Sequence, residues 1–139
     1  MTNGHDTYRT ASIQTADRGK LVVMVYDHCI QWCDRALEAE GNLETRTKAV
    51  SRVQDGLAEL TCALDMDNGG EIAKQLWRLY DYMAWALQQS LLTRTAKNIE
   101  DVRSMLAELR GAWQIAAETV RKTQPSVVAG QARSLALMG

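Results

Sequence analysis

Proline occurs once in this sequence, at Pro125, so the strongest helix breaker is missing from everything that precedes it. What such a chain folds into is then decided by its apolar spacing. Val50, Val53, Leu57, Leu60 and Leu64 advance in alternating steps of three and four, the seam of a helix that packs nearly parallel to a neighbour. Ile72, Leu76, Leu79, Met83 and Leu87 repeat the pattern, and Ile99, Val102, Leu106, Leu109, Trp113, Ala116 and Val120 extend it further. The first segment is less regular: Leu21 to Tyr26 places apolar groups on nearly every face before Cys29, Trp32, Cys33 and Ala36 resume a stripe. Its β-branched run could form a short strand, but no partner strand with alternating pattern occurs elsewhere, which favours a helix needing cover on more than one side.

These stripes predict helices over about 17–40, 43–65, 69–91 and 95–122. Gly41-Asn42 reads as a stop followed by a cap, Asn68 and Glu71 as a capping pair, Thr93 or Thr95 as the cap of the fourth helix, and Arg121 and Lys122 as cations at its end. Connections this short force antiparallel neighbours, so the expected fold is all-α, an up-down-up-down four-helix bundle. Residues 1–16 are expected to form a flexible N-terminal arm and 125–139 a flexible C-terminal tail. Gly56 and Gly111 fall inside helices, where close helix approach is the simplest reason for either.

Apolar residues make up 46% of the chain and charged residues 24%, the composition of a soluble folded domain. The formal net charge of -1, without a long stretch of one sign, argues against a nucleic-acid partner. The polar N-terminus lacks the apolar core of a signal peptide, and no run of about 18 apolar residues could span a bilayer. A cytoplasmic location is therefore expected, and Cys29, Cys33 and Cys62 read as reduced core thiols.

Two stretches imitate chemistry. Asp65 and Asp67 fit the first ligand positions of a calcium loop, but the fifth position is Gly69 and the twelfth Leu76, so a turn between helices is the better reading. Cys29 and Cys33 share a helix face near His28, yet only Cys62 and His5 remain to complete a zinc site, so no metal or other cofactor is expected. Nucleophile motifs and phosphate loops are absent from the sequence, and two histidines offer little acid-base capacity, so catalysis is not expected either. What is left is aromatic excess off the seam: Trp77 and Trp85, with Asp81 between them, form a second apolar face on the third helix. Each could pack on a neighbouring helix or terminal arm, or both could line a groove for an amphipathic helix.

Particular strings carry a resemblance. They are Thr15-Ala16 before Lys20 to Asp27, Leu64-Asp65 followed by Gly69 to Ala73, Leu76 to Met83, and Leu106 to Trp113. In that order and spacing, from Tyr8 to about Ala117, the chain resembles the FliS family of flagellar secretion chaperones. It departs where the family commonly has proline after Thr-Ala-Ser and this chain reads Thr15-Ala16-Asp17-Arg18, and where the end of the third helix reads Ala86-Leu87 and Ser90-Leu91. The resemblance implies an antiparallel bundle that binds the C-terminal segment of flagellin, prevents premature polymerisation and delivers it to a flagellar export-gate membrane protein. Under that implication Met24, Tyr26, Trp77, Tyr80 and Trp85 are expected partner contacts, with the arm's Tyr8 and Ile13 covering apolar surface in the partner's absence. A second reading is a non-catalytic assembly or regulatory adaptor, such as a homodimer.

Overall fold

The computed structural model describes residues 4–122, with side chains from Arg18 to Thr119 and at Lys122. The stretch 125–139, expected as a tail, lies outside the described residues. Four helices account for the described fold: α1 (Gly4–Glu38), α2 (Leu43–Cys62), α3 (Gly70–Thr93) and α4 (Lys97–Lys122). The stripes organise a four-helix bundle as their spacing requires, and no strand occurs among the described residues. One boundary departs widely: α1 starts at Gly4, so residues 4–16 continue the first helix where an arm was expected.

The direction of packing is fixed by cross-helix bonds. Arg46 Nε donates to the Ala36 carbonyl at 2.9 Å and the Cys29 thiol faces the Val53 carbonyl at 3.9 Å, so α2 runs back along α1. Asp27 with Arg110 and Asp34 with Arg103 move up α1 while moving down α4. Each of these arginines grips its carboxylate with two nitrogens; Arg110 Nε lies 2.8 Å from Asp27 Oδ1. Gln54 Nε2 reaches the Ala84 carbonyl across α2 and α3, and Asn98 Nδ2 the Ala86 carbonyl across α3 and α4. Helices α2 and α4 each pack on both α1 and α3, which leaves α1 and α3 as one diagonal of the bundle.

The core takes one stripe from each helix, including Val50, Val53, Leu57 and Leu60 from α2, Met83 and Leu87 from α3, and Ile99, Val102 and Leu106 from α4. Burying each large side chain contributes about 1.5–3 kcal/mol. Ile72 departs from its stripe: it sits in the first turn of α3, beside the α2–α3 turn, and is exposed. Cys29 and Cys33 are buried as expected, whereas Cys62, in the last turn of α2, is exposed. Burial pushes both core thiols up to about 12, since a thiolate would lose its hydration there.

Punctuation at the joints is partly what the sequence implies. Gly41 has φ +82, and the Asn42 side chain accepts a hydrogen bond from the Thr45 amide at 3.1 Å, capping α2. At the next joint Asp65, and not Asn68, is the organising acceptor. Its two oxygens take the Asn68 amide and the Asn68 side-chain nitrogen, each at 3.0 Å, which holds its carboxyl below the usual carboxylate range. Gly69 begins α3 with no side-chain cap. Neither threonine supplies the break before α4: Arg94, in the left-handed conformation at φ 56, closes α3.

Candidate functional site

An α-helix turns about 100° per residue, so the buried stripe of α3 fixes where its remaining side chains look. Trp85 falls directly opposite that stripe and is 57% exposed. Trp77 is also exposed but lies roughly 80° around the helix from Trp85, on the flank toward α2, so the two rings do not stand one above the other. The ring beside Trp85 is Tyr82, with centroids 6.0 Å apart and planes inclined at 36°. Tyr82 was not expected as part of the face, although its spacing of three from Trp85 is a signal that helix periodicity could have provided.

Met24 is likewise 57% exposed, on the side of α1 that points away from the core. Because α1 and α3 lie on a diagonal, Met24 and Trp85 look out from opposite sides of the molecule. One compact groove cannot contain both. Leu21 joins Met24 on the exposed part of α1, and Leu92 and Ile115 add exposed apolar groups near the end of α3 and on α4.

Tyr26 and Tyr80 are corrected by the structure, because both are fully buried and neither offers surface in this conformation. Their hydroxyls hydrogen-bond to each other across the diagonal, with rings 6.5 Å apart. A buried phenol needs such a partner, and each tyrosine answers the other's requirement while filling the centre of the bundle. Burial raises the Tyr26 hydroxyl from 10.0 to about 12, with hydrogen bonds from Tyr80 and Trp113 acting in the other direction. Burial, then the neighbouring Tyr26, drives Tyr80 further in the same direction. Tyr8 and Ile13 belong to the first turns of α1, and their side chains lie outside the described residues.

Groups that resemble chemistry are occupied otherwise. Trp32 donates from Nε1 to His28 Nε2 at 3.0 Å, while the Arg35 guanidinium stacks 4.2 Å from its ring centroid and Arg52 approaches to 5.8 Å. No group of three or more metal-ligating side chains comes together among the described residues. No described helix is long and apolar enough to cross a membrane. The outside of the bundle instead carries exposed apolar and aromatic side chains, Trp77, Tyr82 and Trp85 on α3 and Leu21 and Met24 on α1.

Residues 1–120 match the sequence model of a family described as Flagellar protein FliS. A flagellar secretion chaperone FliS from Bacillus subtilis is 26% identical over 122 residues, covering 86% of this chain and 90% of that protein. The protein of that name from Salmonella typhimurium is 32% identical over 112 residues, covering 75% of this chain and 79% of its own length. Another, from Vibrio cholerae, is 27% identical over 105 residues.

Proposed function

The chain belongs to the FliS family, and from that premise we propose that it is a cytoplasmic flagellar secretion chaperone whose cargo is the C-terminal, helix-forming segment of flagellin. The observation that carries the reading is the large apolar surface remaining once the four helices have packed, with Trp85, Tyr82, Trp77 and Met24 all exposed. A cargo segment disordered in isolation folds against such surface, exchanging its chain entropy for buried apolar area. While held there, the face it needs for filament assembly is covered. A flagellar export-gate membrane protein is the second partner in this reading, receiving the cargo from the bundle.

Contacts at Met24 and at Trp85 require a partner that passes around the outside of the bundle, since these side chains point in opposite directions. An extended chain of several short helices meets that requirement and a single straight helix does not. Titration calorimetry with a flagellin C-terminal peptide, followed by circular dichroism, tests the proposal. One-to-one binding with a gain of helix is expected. Trp85→Ala should weaken it by about 2 kcal/mol, roughly thirtyfold, with the bundle's own helicity unchanged. Absence of binding by the native protein overturns the cargo assignment; undiminished binding by Trp85→Ala and Met24→Ala removes these faces from it.

A further inference from the structure

With Ala36 bonded to Arg46 and Cys29 facing Val53, residues 32–39 and 45–55 run alongside each other in opposite directions. A groove of about 870 Å³ follows that seam on the outside of the bundle, lined by half-buried Trp32 and by the buried small residues Ala39 and Ala49. The register sorts its charges over roughly 15 Å, about three turns of helix. Arg35 of α1 and Lys48 and Arg52 of α2 collect in the middle, with Glu38 toward one end and Asp55 toward the other. Trp32 is the fixed point of the cluster: its Nε1 donates to His28, and the Arg35 and Arg52 guanidiniums lie 4.2 and 5.8 Å from its ring centroid. Two like charges from different helices thus meet at one ring, about a Debye length apart or closer, ~10 Å in 0.1 M salt, and repel each other. Among the described residues neither has a carboxylate within ion-pair distance, although Glu38 and Asp55 each follow one of them by three positions. Lys48 pairs only with Glu44, at 3.4 Å and largely in water, where an ion pair stabilises little.

We propose that this groove docks an acidic amphipathic helix of a partner protein, its carboxylates entering among Arg35, Arg52 and Lys48 while an apolar side chain covers the open part of Trp32. Charge complementarity selects the occupant. Residues four apart on a helix share one face, about 6 Å from each other, so a single helix presents two carboxylates to the cluster at once. A rod also fits the trough between two antiparallel helices, by the same ridge-and-groove packing that builds the bundle. Glu38 and Asp55 limit the length of anion that is accepted. A nucleic-acid strand, with a phosphate at every step, would meet like charge at both ends, whereas a helix with one short acidic patch meets its opposite in the middle. The groove goes beyond the cargo reading, which rests on the apolar faces carrying Trp85 and Met24, and does not depend on what that cargo is.

The probe is a capped, alanine-rich helical peptide with two glutamates four residues apart and a leucine one turn further on, titrated into the full chain while the Trp32 indole N–H is followed by NMR and assigned through Trp32→Phe. The peptide should shift that signal saturably, and raising the salt should weaken binding. Its counterpart with glutamine at both acidic positions should bind about five- to tenfold less tightly, as should the native peptide to the Arg35→Gln, Arg52→Gln double variant. Both arginines are exposed, so the double variant keeps its core, which circular dichroism checks. Lys74→Gln with Lys97→Gln removes the same charge from α3 and α4 and should leave the affinity unchanged. Trp85→Ala should also leave it unchanged, which separates this groove from the cargo surface. A Trp32 signal that stays still throughout the titration overturns the proposal, as does equal binding by the double arginine variant. A short single-stranded oligonucleotide that shifts Trp32 at lower concentration than the acidic peptide would overturn the choice of occupant.

Discussion

Gly56 of α2 stands against Cys29 of α1: a Cβ built there would lie 2.3 Å from the Cys29 sulfur. Gly111 has no atom within 4 Å of the same position, so its lack of a side chain serves no packing purpose. The two glycines therefore have opposite consequences. Gly111→Ala should stabilise the protein by about 1 kcal/mol through helix propensity alone. Gly56→Ala has that gain overridden by a clash in a filled core and should lose about 1–3 kcal/mol. Paired urea or thermal melts check both, and equal effects would remove the close-approach account. In sequence the two positions are indistinguishable, each a glycine within an apolar stripe, because the difference belongs to the residue across the interface. The same limit applies to Tyr26 and Tyr80. Each reads as an amphipathic ring suited to a surface, and the hydroxyl of the other, which helps make its burial tolerable, cannot be seen in the spacing.

Among the elements, the helices themselves were legible because three-and-four spacing states which face must be covered, and four such faces have one economical arrangement. Their ends were less so, since several polar residues near a joint compete for one role. Asn42 holds the cap of α2, and Asn42→Ala should cost about 1 kcal/mol. Asn68 gives its amide and side-chain nitrogens to Asp65 and caps nothing, so the weight of that turn falls on the carboxylate. Asp65→Ala should accordingly destabilise more than Asn68→Ala in matched thermal melts; the reverse order would return the organising role to Asn68. On α3 the outer face was found from composition but misjudged in angle. A separation of eight carries a side chain past two full turns, and this swings Trp77 toward α2 while Trp85 pairs with Tyr82. The long first helix was missed at its start because residues 4–16 are polar, and a polar helix leaves no stripe to read.

For the molecule as a whole, the neutral groups sealed at the centre set its alkaline limit. Cys29 and Cys33 titrate near 9.0 when unfolded but only at about 12 in the bundle, and Tyr26 moves from 10.0 to about 12. Below pH 9 both states hold these protons, and the associated stability is fully present. As pH rises from there the unfolded chain releases them while the folded one cannot, so stability falls with increasing pH. The loss should reach on the order of 5 kcal/mol by about pH 10.5, visible as a falling melting temperature after a level stretch through neutrality. Replacing both core thiols with alanine should move the onset upward toward the tyrosine range, and a curve level to pH 11 would contradict the account. On the cargo path proposed above, over both α1 and α3, their diagonal placement bears on how the cargo would depart. A ligand clasped from two opposed sides has no single direction in which to slide off; it must first peel from one and swing clear while the other still holds. Release then proceeds through a tethered, half-open state, and a receiving protein that captures the loosened half can draw the remainder away without the cargo ever being wholly free.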